Sequence, residues 1–264
     1  MIDAFAHLPH IMQALFATLF TWGVTAAGAA VVFLLRHPRK IFLDGMLGFA
    51  AGVMMAASYW SLLDPAIGMA ESLQMCSWLP AMIGFLGGGA LLFSGDRLYK
   101  SMARAHQTAG ADKRCAMLIL SITLHNIPEG MAVGVAFGSL AYHLEGATLM
   151  AALLLALGIG LQNFPEGMAV SVPLLRDGYT RRKAFMIGQF SGIVEPIAGM
   201  LGALLVLRVR LLLPYMLSFA AGAMIYVVCE ELIPESQQGR HKDLMAFFTL
   251  IGFSIMMVMD VALG

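Results

Sequence analysis

The sequence predicts an all-α membrane protein of eight transmembrane helices, and three observations carry that prediction. Of 264 residues, 59% are apolar and only 12% charged, with a mean hydropathy of +0.81, whereas soluble domains carry roughly 25% charged residues. The apolar residues fall into eight runs, each long enough to span ~30 Å of hydrocarbon. Lysine and arginine are confined almost wholly to alternate connections between those runs. Little chain remains outside the spans, so residues 1–264 read as a single transmembrane domain whose chemistry lies inside the bilayer.

Span one, 11–35, follows a stretch without the basic region and small-residue cleavage site of a signal peptide, so it is expected to be retained. Span two, 41–63, carries GFAAG at 48–52, and span three, 77–95, carries GFLGGGA at 84–90. Small residues of this kind let helices approach closely. Spans four, 115–138, and five, 148–175, hold two polar phrases taken up below. Span six, 183–206, contains GQFSGIVEPIAGM, in which Glu195 precedes a proline. Span seven, 211–234, ends in VVCEELIPES, and span eight, 243–263, closes the set. The connections are short except at 64–76 and 96–114.

Positive loops stay in the cytoplasm. With the N-terminus outside, fourteen of the 16 basic residues fall in inner loops, and only Arg208 and Arg210 fall outside. Both termini are therefore expected to be extracytoplasmic. The compact, short-looped chain fits a prokaryotic cytoplasmic membrane.

Several classes of function are excluded. Cys76, Cys115 and Cys229 form neither a disulfide framework nor a CxxC metal motif. Zero net charge, with no basic aromatic surface, gives no reason to invoke nucleic acid. No Walker phrase is present, so any movement of a substrate follows a gradient or a coupled ion.

The most informative feature is an eleven-residue phrase written twice, HNIPEGMAVGV at 125–135 and QNFPEGMAVSV at 162–172, identical at eight positions. Each copy sets a polar ligand four residues before a glutamate, His125 with Glu129 and Gln162 with Glu166. That spacing puts both side chains on one helix face, a turn apart. Pro128 and Pro165 lie between them and free a backbone carbonyl one turn earlier. Ionisable groups within hydrocarbon are expensive and mark a pathway or a bound ion. Single polar residues can serve as interhelical glue, but two proline-flanked glutamates are a costly way to glue helices.

If spans four and five face one another, His125, Glu129, Gln162 and Glu166 offer nitrogen and oxygen ligands suited to Zn²⁺, with Fe²⁺, Mn²⁺ and Cd²⁺ as alternatives. Asn126 and Asn163, one residue on, would present oxygens to a second ion, with Glu129 and Glu166 bridging. Glu195 supplies a third mid-span carboxylate. A structural zinc site closes with Cys and His instead, so weak mixed oxygen ligation reads as a place through which ions pass. The competing class is a membrane metalloenzyme or a metal sensor. An intramembrane zinc protease would need HExxH, and His125 is the only histidine within a span.

These residues resemble the ZIP (Zrt/Irt-like) family of divalent metal transporters, and within it the GufA-like bacterial branch. The resemblance rests on HNIPEG in span four and its companion QNFPEG in span five, and it extends over the whole eight-span chain. It implies a binuclear centre of His125, Asn126, Glu129, Gln162, Asn163, Glu166 and Glu195, carrying zinc as substrate into the cytoplasm. It also implies a bundle of spans one, four, five and six moving, elevator-like, against a scaffold of two, three, seven and eight, with homodimers formed through that scaffold in the lipid bilayer. Some relatives carry aspartate where this chain has Asn163, leaving the second position one charge short. The loop between spans three and four, often histidine-rich in relatives, holds only His106. Met54 and Ser61, in GFAAGVMMAASYWSL, resemble residues that wall the metal path, although methionine is also ordinary core filler. Asp96, Glu230 and Glu231 would form an inner exit station, or else pair with Arg97 or Arg240.

Overall fold

The computed structural model describes residues 5–34, 39–105, 126–144, 146–176 and 178–263. Every regular element among them is helical. They are α1 His10–Leu34 and α2 Lys40–Ser72, α3 Trp78–Ala105, α4 126–139, α5 Leu149–Arg176, α6 Arg181–Arg208 and α7 Arg210–Ser236, and α8 Lys242–Leu263. All but α4 are long and apolar enough to cross a membrane, seven candidate spans among the described residues. The chain is an all-α, polytopic membrane protein. As described, α4 is about 21 Å long at ~1.5 Å per residue. The remainder of the expected fourth span, 115–125, lies outside the described residues.

The expected connection at 64–76 is largely helical, because α2 continues to Ser72. Residues Ser58–Leu63 wind as a π-helix, and Pro65 then falls in the first turn of the α-helical stretch Asp64–Ser72. There a missing N–H and a fixed φ cost the helix little. The same device recurs in α7, where π-helical Val228–Leu232 precedes Pro234 in the first turn of Ile233–Ser236. α3 likewise overruns its expected end at 95 and reaches Ala105.

α2 and α7 match beyond this device: LGFAAGVM at 47–54 answers LSFAAGAM at 217–224. Both helices use the phrase in the same way. In α2, a Cβ on Gly52 would stand 2.0 Å from the Thr249 carbonyl oxygen of α8, and one on Gly252 would stand 2.1 Å from that of Phe49. In α7, a Cβ on Gly222 would meet the Phe85 carbonyl of α3 at 1.9 Å, and one on Gly88 the Phe219 carbonyl at 1.9 Å. Only glycine permits backbones this close. The α2–α3 and α7–α8 pairs are thus two copies of one unit with exchanged partners, α2 packing on α8 and α7 on α3. The main core lies where these helices meet α4 and α5, around Met54, Leu62, Phe137, Leu155, Ile159, Leu217, Met224 and Met256. Outward side chains such as Leu86, Leu91, Phe247, Leu250 and Val258 are exposed and apolar, as a lipid-facing surface requires.

Candidate metal centre

Glycines of the repeated phrase bring the centre together. A Cβ on Gly130 of α4 would lie 2.4 Å from the backbone oxygen of Glu195 in α6, and one on Gly167 of α5 would lie 2.2 Å from that of Thr25 in α1. Each glutamate of the phrase is therefore followed by the residue that clamps its helix to a neighbour. α6 is interrupted between Arg181–Ser191 and Val194–Arg208, so Glu195 sits in the first turn of the second segment. A negative charge is favoured at such a helix start.

Asn126, Glu129, Gln162, Asn163 and Glu195 are all buried, and Glu166 is half-buried with its Oε1 enclosed. The three amides use their nitrogens alike. Asn126 Nδ2 donates to the Ser191 carbonyl at 2.9 Å, Gln162 Nε2 to Glu129 Oε1 at 2.7 Å, and Asn163 Nδ2 to both oxygens of Glu195 at 3.0 Å. Their oxygens are left over. Asn126 Oδ1, Gln162 Oε1, Asn163 Oδ1, Glu129 Oε2 and Glu166 Oε1 are buried and have no hydrogen-bond partner among the described residues.

A buried polar atom without a partner costs on the order of 1–3 kcal/mol. Five such atoms on two helices, all of them acceptors, suit a cation or a hydrogen-bond donor, and the carboxylates among them favour the cation. The carboxyls of Glu129, Glu166 and Glu195 also lie within electrostatic reach of one another, and Glu166 lies within reach of Glu231. Buried carboxylates this close to one another are relieved by a bound cation or by taking up protons. Among the described residues no three His, Cys, Asp or Glu side chains converge as a metal-binding group by themselves. The converging oxygens come from carboxylates and amides in mixture, a set suited to hard or borderline divalent ions.

His125 lies outside the described residues. Met54 is fully buried in the main core, where it packs as a core side chain. Ser61 lies in the π-helical turn of α2 and donates to Asp260 Oδ1 at 2.7 Å. Asp96 and Glu231 are half-buried near the ends of α3 and α7, and Glu230 is exposed. Sequence reasoning missed three residues here. Asp260 is an ionisable group in apolar α8 whose Oδ2 is buried and unpartnered, and a lone carboxylate in a span was signal enough. Thr21 and Thr25 donate to Glu195 from α1. Their helical spacing was visible, but threonine is unremarked in a membrane helix.

A bundle of membrane-crossing helices around buried, cation-seeking oxygens defines a multi-pass membrane metal transporter. A family profile described as ZIP Zinc transporter matches residues 100–260. Zinc transporter ZIP11 of Xenopus tropicalis is 39% identical over the full length of both chains. Zinc transporter ZIPB of Bordetella bronchiseptica is 34% identical, covering 97% of this chain and 82% of the relative. Zinc transporter GufA of Myxococcus xanthus is 32% identical, covering 95% and 98%. The chain belongs to the ZIP family. Its similarity reaches the bacterial branch and vertebrate ZIP11 alike, and these relatives are named as transporters rather than enzymes.

Proposed function

We propose that this protein carries Zn²⁺ across the membrane into the cytoplasm, with Cd²⁺, Fe²⁺ and Mn²⁺ as further substrates. The observation that carries the reading is the set of five buried oxygens without partners on α4 and α5. The zinc ion sheds water at the outer face and is taken up by Glu129, Gln162 and Glu166, with His125 as a further donor one turn before Glu129. Asn126, Asn163 and Glu195 lie beside it, where the family resemblance implies a second position. Release is inward, past Glu231 and Glu230 on α7 and Asp96 on α3. Weak amide ligation keeps the ion exchangeable.

Movement is of the elevator kind, with α1, α4, α5 and α6 sliding against α2, α3, α7 and α8. Close glycine contacts support this division. Among the described residues, every glycine whose Cβ would come within 3.0 Å of another helix's backbone makes that contact inside one group or the other. Across the groups the comparable approach is Gly158 of α5 to the Met256 side chain of α8, at 2.5 Å from its sulfur. Backbone contacts lock each body, while a flexible thioether separates them. The second group also forms the homodimer, with both chain termini extracytoplasmic, in a prokaryotic cytoplasmic membrane.

The test is zinc uptake by proteoliposomes that hold a zinc-sensitive dye. Wild type is expected to give flux and Glu166→Ala to lose at least nine-tenths of it. Undiminished flux in the variant would sink the proposal.

A further inference from the structure

Glu195 differs from the other two buried carboxylates in having its oxygens already engaged. Oε2 accepts from the Thr21 hydroxyl, Oε1 accepts from Thr25 Oγ1 at 3.4 Å, and Asn163 Nδ2 stands 3.0 Å from each. Two carboxylate oxygens offer about four acceptor sites, and three donor groups are aimed at them, with the Thr25 hydroxyl shared between Glu195 and the Thr21 carbonyl at 3.3 Å. Glu129 Oε2 and Glu166 Oε1, by contrast, have no partner among the described residues.

The same contact fixes the Asn163 amide. With its nitrogen on Glu195, its Oδ1 is directed elsewhere and is one of the buried oxygens without a partner among the described residues. Asn163 Nδ2 also reaches the Thr21 carbonyl at 3.3 Å, so the amide is held from two sides. A second cation bound through Glu195 would have to displace these donors, whereas the first meets oxygens that nothing else uses.

We infer that this chain holds one ion at a time, and that Thr21, Thr25 and Asn163 form a clasp on Glu195 that stands in place of a second ion. The inference rests on the transport reading above and assigns α1 a part in setting the ion count. The clasp joins α1, α5 and α6 without metal. Thr21 and Thr25 are positioning residues that act through Glu195. Asn163→Asp removes the amide donor and sets a second carboxylate against Glu195, which recreates the demand for a second cation.

The experiment is equilibrium dialysis of the purified full chain against Zn²⁺, with zinc counted per chain. Wild type is expected to saturate at one zinc, and Asn163→Asp to take up a second. Thr21→Val keeps the side-chain shape without the hydroxyl and is expected to strengthen second-ion binding at least tenfold. Thr21→Ser, which keeps the donor, is expected to match wild type. Two zinc ions bound to wild type with similar affinity would overturn the clasp and leave the transport reading intact. So would an Asn163→Asp variant that stays at one, or a Thr21→Val variant that matches wild type. Should Asn163→Asp fail to fold, the Thr21 pair decides alone. Wild type that binds no zinc and transports none would bring down the transport reading, and this inference with it.

Discussion

A primary amide set among apolar helices has two ends to satisfy, and at this centre the protein meets only the nitrogen ends. Gln162 is the clearest case, because its Nε2 holds Glu129 in place while its Oε1 is unmatched. Gln162→Leu therefore removes both an oxygen ligand and the donor that orients a carboxylate. A hydrogen bond to a charged group is worth about 1.5–3 kcal/mol, so zinc affinity is expected to fall by roughly tenfold to a hundredfold, as read by dye competition. Ser61→Ala is expected to act on stability instead. It strands Asp260 Oδ1, and since Oδ2 has no partner already, the whole carboxyl loses its only protein donor among the described residues. A loss of about 1–3 kcal/mol is expected, seen as a lower melting temperature with zinc affinity unchanged. At this scale the glutamates were legible in the sequence because a carboxylate in an apolar run has no ordinary reason to be there. Thr21 and Thr25 were not, since a buried threonine ordinarily bonds back to its own helix, as Thr18 does to the Ala14 carbonyl at 2.7 Å and as both of these also do, to the Thr18 and Thr21 carbonyls. Nothing in the letter distinguishes that use from reaching across to Glu195.

Helices here are told apart by their glycines. Gly52→Ala puts a Cβ into the Thr249 carbonyl, and Gly222→Ala puts one into that of Phe85. Overpacking of this kind typically costs about 1–3 kcal/mol. The two variants are expected to lower the melting temperature by similar amounts, since the contacts are copies of one another. Gly68→Ala in the same long helix as Gly52 meets nothing within 4 Å and is expected to be neutral or slightly stabilising, alanine being the better helix former. Thermal unfolding of the three variants in detergent checks the set. Helix existence was plain from hydropathy, but several ends were not. The run of α2 past 63 depends on π-helical winding ahead of Pro65, and one extra residue in a turn leaves no mark on composition. The likeness of α2 and α7 was written in the FAAG phrases and was overshadowed by the longer repeat in α4 and α5.

At the level of the whole molecule, two bodies rather than eight helices are the moving parts proposed above. Crosslinking across the boundary tests that. In a background free of Cys76, Cys115 and Cys229, mercury bridging of Gly158→Cys to Met256→Cys is expected to stop zinc flux, and thiol reagent to restore it. Bridging Gly45→Cys to Phe248→Cys, within one body and where a Cβ on Gly45 meets only the Phe248 side chain, is expected to leave flux within about twofold of the unbridged protein; arrest by both bridges alike would refute the division. The all-helical, membrane-crossing plan was legible because hydropathy acts over the entire chain. The pairing of helices was not, since it depends on which small residues face each other across forty or more positions of sequence. The exchanged partners of the duplicated unit bear on how the chain is made. A ribosome delivers α2 early and α8 last, so the glycine face of α2 waits in lipid, without its mate, through most of synthesis. The seam between α2 and α8 cannot close until α8 has been inserted, and a nascent chain released before then offers quality-control proteases an unpaired glycine face.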